Sequence, residues 1–89
     1  MTLNQLRYVI EIVRCGSIST AAQELFITQP SLSKSVNELE KEMGITIFRR
    51  TNRGVVLSEE GIRFLSYARQ VVEQADLLEH RYKESEKMH

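Results

Sequence analysis

This chain has too little cysteine for disulfide chemistry. Cys15 is the single cysteine among 89 residues, so no bridge can form within the chain. No histidine or second cysteine accompanies it in a recognisable motif, and we interpret it as a filler near a helix end rather than a reactive thiol. The absence of disulfides fits a reducing compartment, so we expect a cytoplasmic protein.

Long apolar runs are absent as well. Residues 1–14 mix apolar with charged side chains, where a signal peptide would be continuously apolar. No stretch approaches the roughly 20 apolar residues that a membrane-spanning helix needs. The sequence therefore predicts one small domain without a membrane partner.

The residues that enzymes use are scarce. The two histidines, His80 and His89, lie near the C-terminal end, and no nucleophile–base pair or metal-ligand spacing appears. Glu40 and Glu42 are most simply interpreted as solvated charges of a helix. We therefore predict no catalytic residues, no metal site, no cofactor and no enzymatic activity.

An excess of positive charge is also missing, since 12 basic and 12 acidic residues leave a formal net charge of zero. Nucleic-acid-binding domains are usually basic. The distribution is uneven, however. Five bases face three acids over residues 29–57, whereas seven acids face five bases from residue 58 onward. The basic middle permits DNA binding, with a modest non-specific affinity.

The stretch from Ser17 to Gly44 organises the rest of the chain, because it is typical of a short helix, a turn and a longer helix over residues 29–43. The longer helix has an apolar face of Leu32, Val36, Leu39 and Met43. Another of its faces carries short polar or basic side chains: Gln29, Ser33, Asn37 and, beside them, Lys34. A helix-turn-helix presents such a face to base edges in the DNA major groove.

Two helices precede this longer one. The first is predicted from Leu3 to Arg14, with Thr2 as its cap and a buried face of Leu3, Leu6, Val9, Ile10 and Val13. The second is predicted from Thr20 to Leu25, capped by Ser19 or Thr20, with the small pair Ala21 and Ala22 at a close helix crossing. The apolar groups of the turn, Phe26 and Ile27, are expected to lie beneath it.

Hydroxyl residues near the helix starts have two interpretations. Ser17, Thr28 and Ser31 can serve as caps alone, or can also hold a backbone phosphate at a helix N-terminus. Pro30 suits the first turn of a helix, where its missing N–H costs nothing.

A basic hairpin is predicted after Gly44. Ile45–Phe48 and Val55–Leu57 are typical of two short strands, and residues 49–54 have the composition of a turn. On its own this hairpin can equally be a solvated loop. Beside a helix-turn-helix it predicts a wing, whose tip arginine can enter the minor groove.

The chain ends in a long helix, predicted from Glu59 to Glu84 after a cap at Ser58, with Gly61 where a capping box has an acid. Its apolar residues recur at coiled-coil spacing: Phe64, Ala68, Val71, Ala75, Leu78 and Tyr82. A domain this small cannot cover the whole stripe. We expect the early turns to pack on the first helix and the later turns on a second copy, and residues 83–89 to fray.

Taken in order, these motifs resemble the N-terminal DNA-binding domain of a LysR-type transcriptional regulator. The resemblance covers nearly the whole chain. The residues that carry it are Leu6–Tyr8, Gly16–Ile18, Ala21, Ala22, Leu25, Thr28–Ser33, Leu39, Glu40, Gly44, Phe48–Thr51, Leu57, Ser58, Glu60 and Gly61.

The resemblance implies a mainly α fold: a winged helix-turn-helix of three helices and a two-stranded wing over residues 1–58, then a linker and dimerisation helix over residues 59–89. It implies a homodimer, paired through antiparallel linker helices, on an interrupted inverted repeat of promoter DNA. For a full-length form, the resemblance also allows a tetramer.

The resemblance also assigns roles to residues. It implies base contacts by Gln29, Pro30, Ser33, Lys34 and Arg53, to which the polar helix face adds Asn37. It implies phosphate contacts by Ser17, Thr28, Ser31, Arg50 and Thr51, to which Asn52 at the wing tip adds a further one.

Some positions depart from the family pattern. Lys34 stands where arginine is common and lacks the bidentate fork, which predicts softer base discrimination. Asn52 replaces a frequent glycine, and Arg49 occupies a position that is often acidic. This sequence does not contain the family's effector-binding domain, which fits either an excised fragment or a naturally short protein; we expect the former, and no small-molecule ligand for these residues. The alternative function is a winged-helix protein-interaction module with a coiled-coil tail, favoured by the zero net charge and the acidic last helix.

Overall fold

The computed structural model describes residues 1–87, with the side chains of residues 1–83. Three helices are followed by a two-stranded antiparallel hairpin and a long helix. The elements are α1 Leu3–Cys15, α2 Ile18–Leu25, α3 Gln29–Met43, β1 Phe48–Thr51, β2 Gly54–Leu57 and α4 Glu59–Lys87. The predicted fold class, a winged helix-turn-helix followed by a long helix, is confirmed.

Local capping signals set the ends of α1 and α3. At the start of α1, Thr2 Oγ1 accepts a hydrogen bond from the Gln5 N–H at 3.1 Å, and the Gln5 side chain accepts one from the Thr2 N–H at 2.9 Å. At the start of α3 the Thr28 side chain accepts from the Ser31 N–H, and Gly44 ends the helix in the left-handed conformation with φ 69°. Because both ends carry clear signals, α3 spans the residues predicted for it.

The start predicted for α2 is wrong by two residues. The cap is Ser17 rather than Ser19 or Thr20, since the Ser17 Oγ accepts a hydrogen bond from the Thr20 N–H at 3.3 Å. Any of these three hydroxyl residues could cap a helix. Burial of Ile18 among α1 and α3 residues decides between them, because it places Ile18 inside the first turn.

The core lies around α1, which contacts α2, α3, β2 and α4. Its buried face is Leu6, Val9 and Ile12. Ile10 and Val13 of the predicted face are half-buried, and Leu3 is exposed, as is Met43 at the end of α3. The core residues of the other elements are Ile18, Ala21, Ala22, Leu32, Val36, Leu39, Ile47, Leu65, Ala68 and Val72. The early turns of α4 therefore belong to the core, as expected.

The first strand lies three residues later than predicted. β1 pairs with β2 in the register Phe48↔Leu57, Arg49↔Val56, Arg50↔Val55 and Thr51↔Gly54. The preceding apolar segment does not join the sheet because its backbone groups have other partners. The Ile47 N–H donates to the Glu40 carboxylate at 2.6 Å, and the Ile47 carbonyl accepts from the Ser58 N–H at 2.9 Å. The turn is therefore shorter than predicted, with only Asn52 and Arg53 between the strands.

The junction between the hairpin and α4 explains the glycine in the capping position. The Ser58 Oγ accepts from the Gly61 N–H at 2.9 Å and donates to the Thr46 carbonyl. A Cβ on Gly61 would lie 2.1 Å from the Ile47 carbonyl oxygen, so no larger residue fits there.

Helix α4 is longer than predicted. It continues to Lys87, three residues beyond the predicted end at Glu84, and residues 88–89 lie outside the described residues. The expected fraying from residue 83 stays a prediction. Within residues 1–87, no helix is both long and apolar enough to cross a membrane.

Candidate nucleic-acid interface

Helix α3 separates its side chains into a buried and an exposed face. Leu32, Val36 and Leu39 are buried against the other helices and the hairpin. The residues predicted to read bases lie on the other side: Gln29, Pro30, Lys34 and Asn37 are exposed and Ser33 is half-buried. Because residues four apart share a helix face, Gln29, Ser33 and Asn37 form one row, with Pro30 and Lys34 in the neighbouring row.

The N-terminal turn of α3 is built around hydroxyl groups. Thr28 Oγ1 accepts from the Ser31 N–H at 3.2 Å and donates to the Ser31 Oγ at 2.8 Å. Thr28 and Ser31 are both exposed, so these caps also leave hydroxyl oxygens on the surface. The other predicted phosphate contact on a helix start, Ser17, is half-buried and caps α2. The capping interpretation is therefore confirmed for Ser17 and Thr28 and is wrong for Ser31, which lies inside the first turn of α3 and donates its N–H to the Thr28 cap. Phosphate binding at these positions stays a prediction.

The wing carries its basic residues on both faces. Residues on opposite strands that pair directly share a face, and alternate residues along a strand change face. Phe48 and Arg50 therefore share one face with Val55, which packs on the core, whereas Arg49 shares the other face with the exposed Val56.

Arg53 lies at the tip of the wing. Thr51 Oγ1 accepts from the Arg53 N–H at 3.3 Å and donates to the Gly54 carbonyl at 3.1 Å, which closes the turn. Residues 49–53 are all exposed. The structure thus presents Arg53 on a closed two-residue tip, although the hydroxyl of Thr51, a predicted phosphate contact, is already engaged in that turn.

Two backbone connections fix the wing to the helices. Both the Ile47 and the Phe48 N–H donate to the same oxygen of Glu40, at 2.6 and 3.2 Å, so the hairpin begins on the side chain of an α3 residue. On the other side, the Val55 N–H lies 3.5 Å from the Gly16 carbonyl oxygen, next to the Ser17 cap. Hydrogen bonds therefore connect the wing to both helix α3 and the turn that leads into α2.

Electrostatics distinguishes this surface from the rest of the molecule. The ion pairs of the described residues include Arg7–Asp76, Arg14–Glu11 and Lys83–Glu79, all on α1 and α4. Among residues 1–83, no carboxylate pairs with Lys34 of α3 or with the wing cations Arg49, Arg50 and Arg53. These four cations are therefore available to an external anion.

The predicted dimerisation stripe on α4 divides into two parts. Ala68 is buried against Leu6, and Phe64 is half-buried in the same cluster, so both pack within the chain. Val71, Leu78 and Tyr82 are 43%, 60% and 62% exposed, and Ala75 is half-buried. Tyr67, which the prediction omitted, is 69% exposed and stands one turn before Val71. The exposed row Tyr67, Val71, Leu78 and Tyr82 is called the α4 outer stripe below.

The sequence matches the family model described as "Bacterial regulatory helix-turn-helix protein, lysR family" over residues 3–62, which includes the polar face of α3 and the whole wing. The chain belongs to the lysR family. Its match to the HTH-type transcriptional regulator ClcR of Pseudomonas putida is 40% identical over 72 residues, covering 81% of this chain and 24% of that protein. The chain thus spans about a quarter of the length of such lysR-family relatives.

Solved structures agree with this assignment. A complex of the BenM DNA-binding domain with catB site 1 DNA superposes with a TM-score of 0.91 at 35% identity, covering all of both chains. A complex of the CbnR DNA-binding domain with DNA superposes with a TM-score of 0.88 at 30% identity, covering 96% of this chain and 98% of that one. The fold is that of a lysR-family DNA-binding domain.

Sequence reasoning missed several residues that shape this surface. The interpretation of Glu40 as a solvated charge is wrong, because Glu40 is half-buried under the wing and accepts the Ile47 N–H. Glu42 is exposed, as expected, and binds the N-terminal ammonium of Met1. The expectation that Phe26 lies beneath the turn is wrong, since its side chain is 95% exposed; only Ile27 packs on the core. No signal in the sequence marks these contacts, because each depends on where separate elements meet.

The remaining chemistry of the chain lies away from this surface. Burial and a hydrogen bond to the Glu11 carboxylate raise the pKa of the Cys15 thiol, which favours its neutral form. Within the described residues, no three His, Cys, Asp or Glu side chains are grouped closely enough to hold a metal ion.

Proposed function

We propose that this chain binds double-stranded promoter DNA sequence-specifically, as a homodimer on an interrupted inverted repeat, in the bacterial cytoplasm where that DNA is found. In this proposal residues 1–58 read the DNA and residues 59–89 join the two copies, with no catalytic step. The observation that carries it is the exposed polar row on α3 beside unpaired wing cations.

Base reading is assigned to the N-terminal half of α3. Gln29 has an amide that can make a bidentate contact with adenine, and Lys34 can donate to the acceptors of guanine. Pro30, Ser33 and Asn37 complete this surface, and all but the half-buried Ser33 are exposed. The opposite, buried face of α3 supports the proposal, because it leaves the helix only one orientation toward the DNA.

Backbone contacts are assigned to the hydroxyl and wing residues. Thr28 and Ser31 sit at an α3 N-terminus, whose N–H groups and dipole favour a phosphate. Ser17, Arg50, Thr51 and Asn52 would contact phosphates on either side of it, and Arg53 at the wing tip would enter the minor groove. The surplus of basic residues over residues 29–57 supports this arrangement.

Dimerisation is assigned to the α4 outer stripe. Four large apolar or aromatic side chains on one row of a long helix are costly to leave in water. Val71, Leu78 and Tyr82 keep the heptad spacing of a coiled-coil seam, with Tyr67 beside them, so the same row of a second copy is the simplest partner. Ala75, which is half-buried, would lie at the edge of this contact.

The test is selection of genomic DNA fragments by the purified chain, followed by sequencing. We expect enrichment of an inverted repeat in promoter regions. The Gln29→Ala variant should then bind this repeat about 1–3 kcal/mol more weakly and discriminate less at one position of each half-site. Gln70→Ala is the matched control, because Gln70 is an exposed glutamine on α4.

A stable dimer that enriches no DNA at low salt would contradict the proposal and would favour a protein-interaction module instead. Enrichment with unchanged base preference in Gln29→Ala would leave DNA binding in place but remove Gln29 from base reading.

A further inference from the structure

Phe26 is the most exposed large apolar side chain of the described residues. It is 95% exposed, compared with 69% for Tyr67 and 62% for Tyr82. Both tyrosines have a hydroxyl group that water can bind, whereas the phenylalanine ring has no polar atom. In the chain by itself, this ring gains almost nothing from folding.

The backbone of Phe26 is unfavourable as well. Its φ of 58° is the only positive φ outside glycine among the described residues. Asparagine and glycine accept this left-handed conformation readily, whereas a bulky residue rarely adopts it. A residue with both a strained backbone and an exposed ring suggests a functional constraint at that position.

The neighbouring residues hold this conformation in place. The N–H groups of Phe26 and Ile27 donate to the Gln23 and Ala22 carbonyls, at 3.2 and 3.0 Å, which closes the end of α2. Ile27 packs on the core and Thr28 caps α3. Because the residues on both sides are fixed, the ring of Phe26 is directed outward rather than swinging freely with a loop.

The position of Phe26 relates it to the DNA-reading surface. It lies in the turn directly before α3, three residues ahead of Gln29. A recognition helix enters the major groove with its N-terminal residues nearest the bases, so in the proposed function this turn would lie at the edge of the groove. The thymine C5-methyl is the apolar group that base pairs present in the major groove, and aromatic side chains contact it there.

We propose that Phe26 packs against a thymine methyl group at the edge of each half-site and selects for thymine at that position. This inference rests on the proposed DNA-binding function and adds a specificity-determining residue to it. Burial of the methyl against the ring would supply the favourable contact that Phe26 lacks in the free chain.

The test combines Phe26→Asn with replacement of single thymines by deoxyuridine in the selected repeat. Deoxyuridine keeps every hydrogen-bonding group of thymine and removes only the methyl. When deoxyuridine replaces the thymine that Phe26 contacts, the affinity of wild type should fall about fourfold per half-site. This factor corresponds to the free energy of burying one methyl group. The variant should bind the thymine duplex correspondingly more weakly and should not distinguish thymine from deoxyuridine at that position.

A loss of affinity in Phe26→Asn cannot be due to unfolding, because asparagine suits the left-handed conformation. The melting temperature of this variant should be equal to that of wild type or higher. Phe26→Gly, which removes the ring and the strain together, should bind like Phe26→Asn. Equal affinity of wild type and variant for the repeat would overturn the inference while leaving the proposed function intact. So would a loss that is the same on every deoxyuridine duplex. Failure of wild type to bind any DNA would instead remove the proposed function on which the inference rests.

Discussion

The carboxylate of Glu40 holds the main chain of Ile47 at 2.6 Å, so one side chain of the recognition helix orients the strand that leads into the wing. The Phe48 N–H shares the same oxygen at 3.2 Å. This acceptor therefore fixes the start of the wing on helix α3, while the hydrogen bond from the Val55 N–H to the Gly16 carbonyl joins the second strand to the turn between α1 and α2.

Removal of this acceptor should destabilise the fold locally. We expect Glu40→Ala to lower the free energy of unfolding by about 1–3 kcal/mol, because two half-buried N–H groups lose their partner. Glu40→Gln should cost less, since one amide oxygen can accept both bonds. Amide hydrogen exchange at Ile47 and Phe48 measures the effect directly, and Glu38→Ala on the exposed side of α3 is the control. Unchanged protection of both amides in Glu40→Ala would contradict this prediction.

Gly61 should tolerate no substitution. A Cβ there would lie 2.1 Å from the Ile47 carbonyl oxygen and 3.1 Å from a Leu57 methyl, so Gly61→Ala must separate α4 from the hairpin. We expect a loss of more than about 3 kcal/mol, measured by chemical denaturation. Gly44→Ala is the control: it has open space around it and should cost only the roughly 1–2 kcal/mol of its left-handed backbone. Similar losses in the two variants would show that the junction is not tightly packed.

Arg53 at the wing tip should contribute one charge contact to DNA binding. We expect Arg53→Ala to reduce the slope of log affinity against log salt by about one. Arg63→Ala removes the same charge from an exposed position on α4 and should leave the slope unchanged. A salt titration of binding to the selected repeat decides the matter, and equal slopes in wild type and Arg53→Ala would exclude the wing tip from the contact.

A charge in the α4 outer stripe should separate the dimer. Leu78 is 60% exposed, so Leu78→Glu should leave the folded chain intact while placing an unpaired carboxylate in the contact between copies. We expect the dimer dissociation constant to rise by at least about a hundredfold, as measured by analytical ultracentrifugation. Ser66→Glu adds the same charge at an exposed position on another face of α4 and should dimerise normally. A Leu78→Glu protein that remains dimeric would place the contact elsewhere.

Cys15 should react slowly with alkylating agents. Burial and the hydrogen bond to Glu11 raise the pKa of its thiol, so the thiolate appears only at a pH above the ordinary range for cysteine. Glu11→Gln removes the anionic acceptor and should move the midpoint of the rate-versus-pH profile downward, toward free cysteine. Glu38→Gln, on α3, should leave the profile unchanged. A wild-type midpoint at or below that of free cysteine would be inconsistent with this arrangement.

The sequence predicted the elements whose ends carry local signals. The bounds of α3 follow from Thr28, Pro30 and Gly44, and its two faces follow from helical spacing, so both were visible without coordinates. The start of α2 cannot be predicted in this way, because Ser17, Ser19 and Thr20 are equally good caps by sequence alone. Only the burial of Ile18 shows that Ser17 is the cap.

The misplaced features depend on contacts between distant parts of the chain. Ile45–Phe48 has the composition of a strand, but the Glu40 carboxylate takes the N–H groups of Ile47 and Phe48, and the sheet begins only at Phe48 and continues through the charged residues after it. The row of α4 apolar residues was recognised, whereas its division between core and surface depends on where α1 lies. Phe26 is apolar and was placed inside, yet its left-handed backbone turns it outward.

The close junction of Ser58 and Gly61 with the Thr46–Ile47 backbone gives α4 a mechanical role. A helix of 29 residues is about 43 Å long at 1.5 Å per residue, and it begins without a hinge directly on the wing. It acts as a lever: a rotation of about 5° at one end displaces the other by roughly 4 Å. In a pair joined through α4, the distance between the two recognition helices would therefore be set by the angle at which the levers cross, so a small change in that angle would retune which half-site spacing the pair can span.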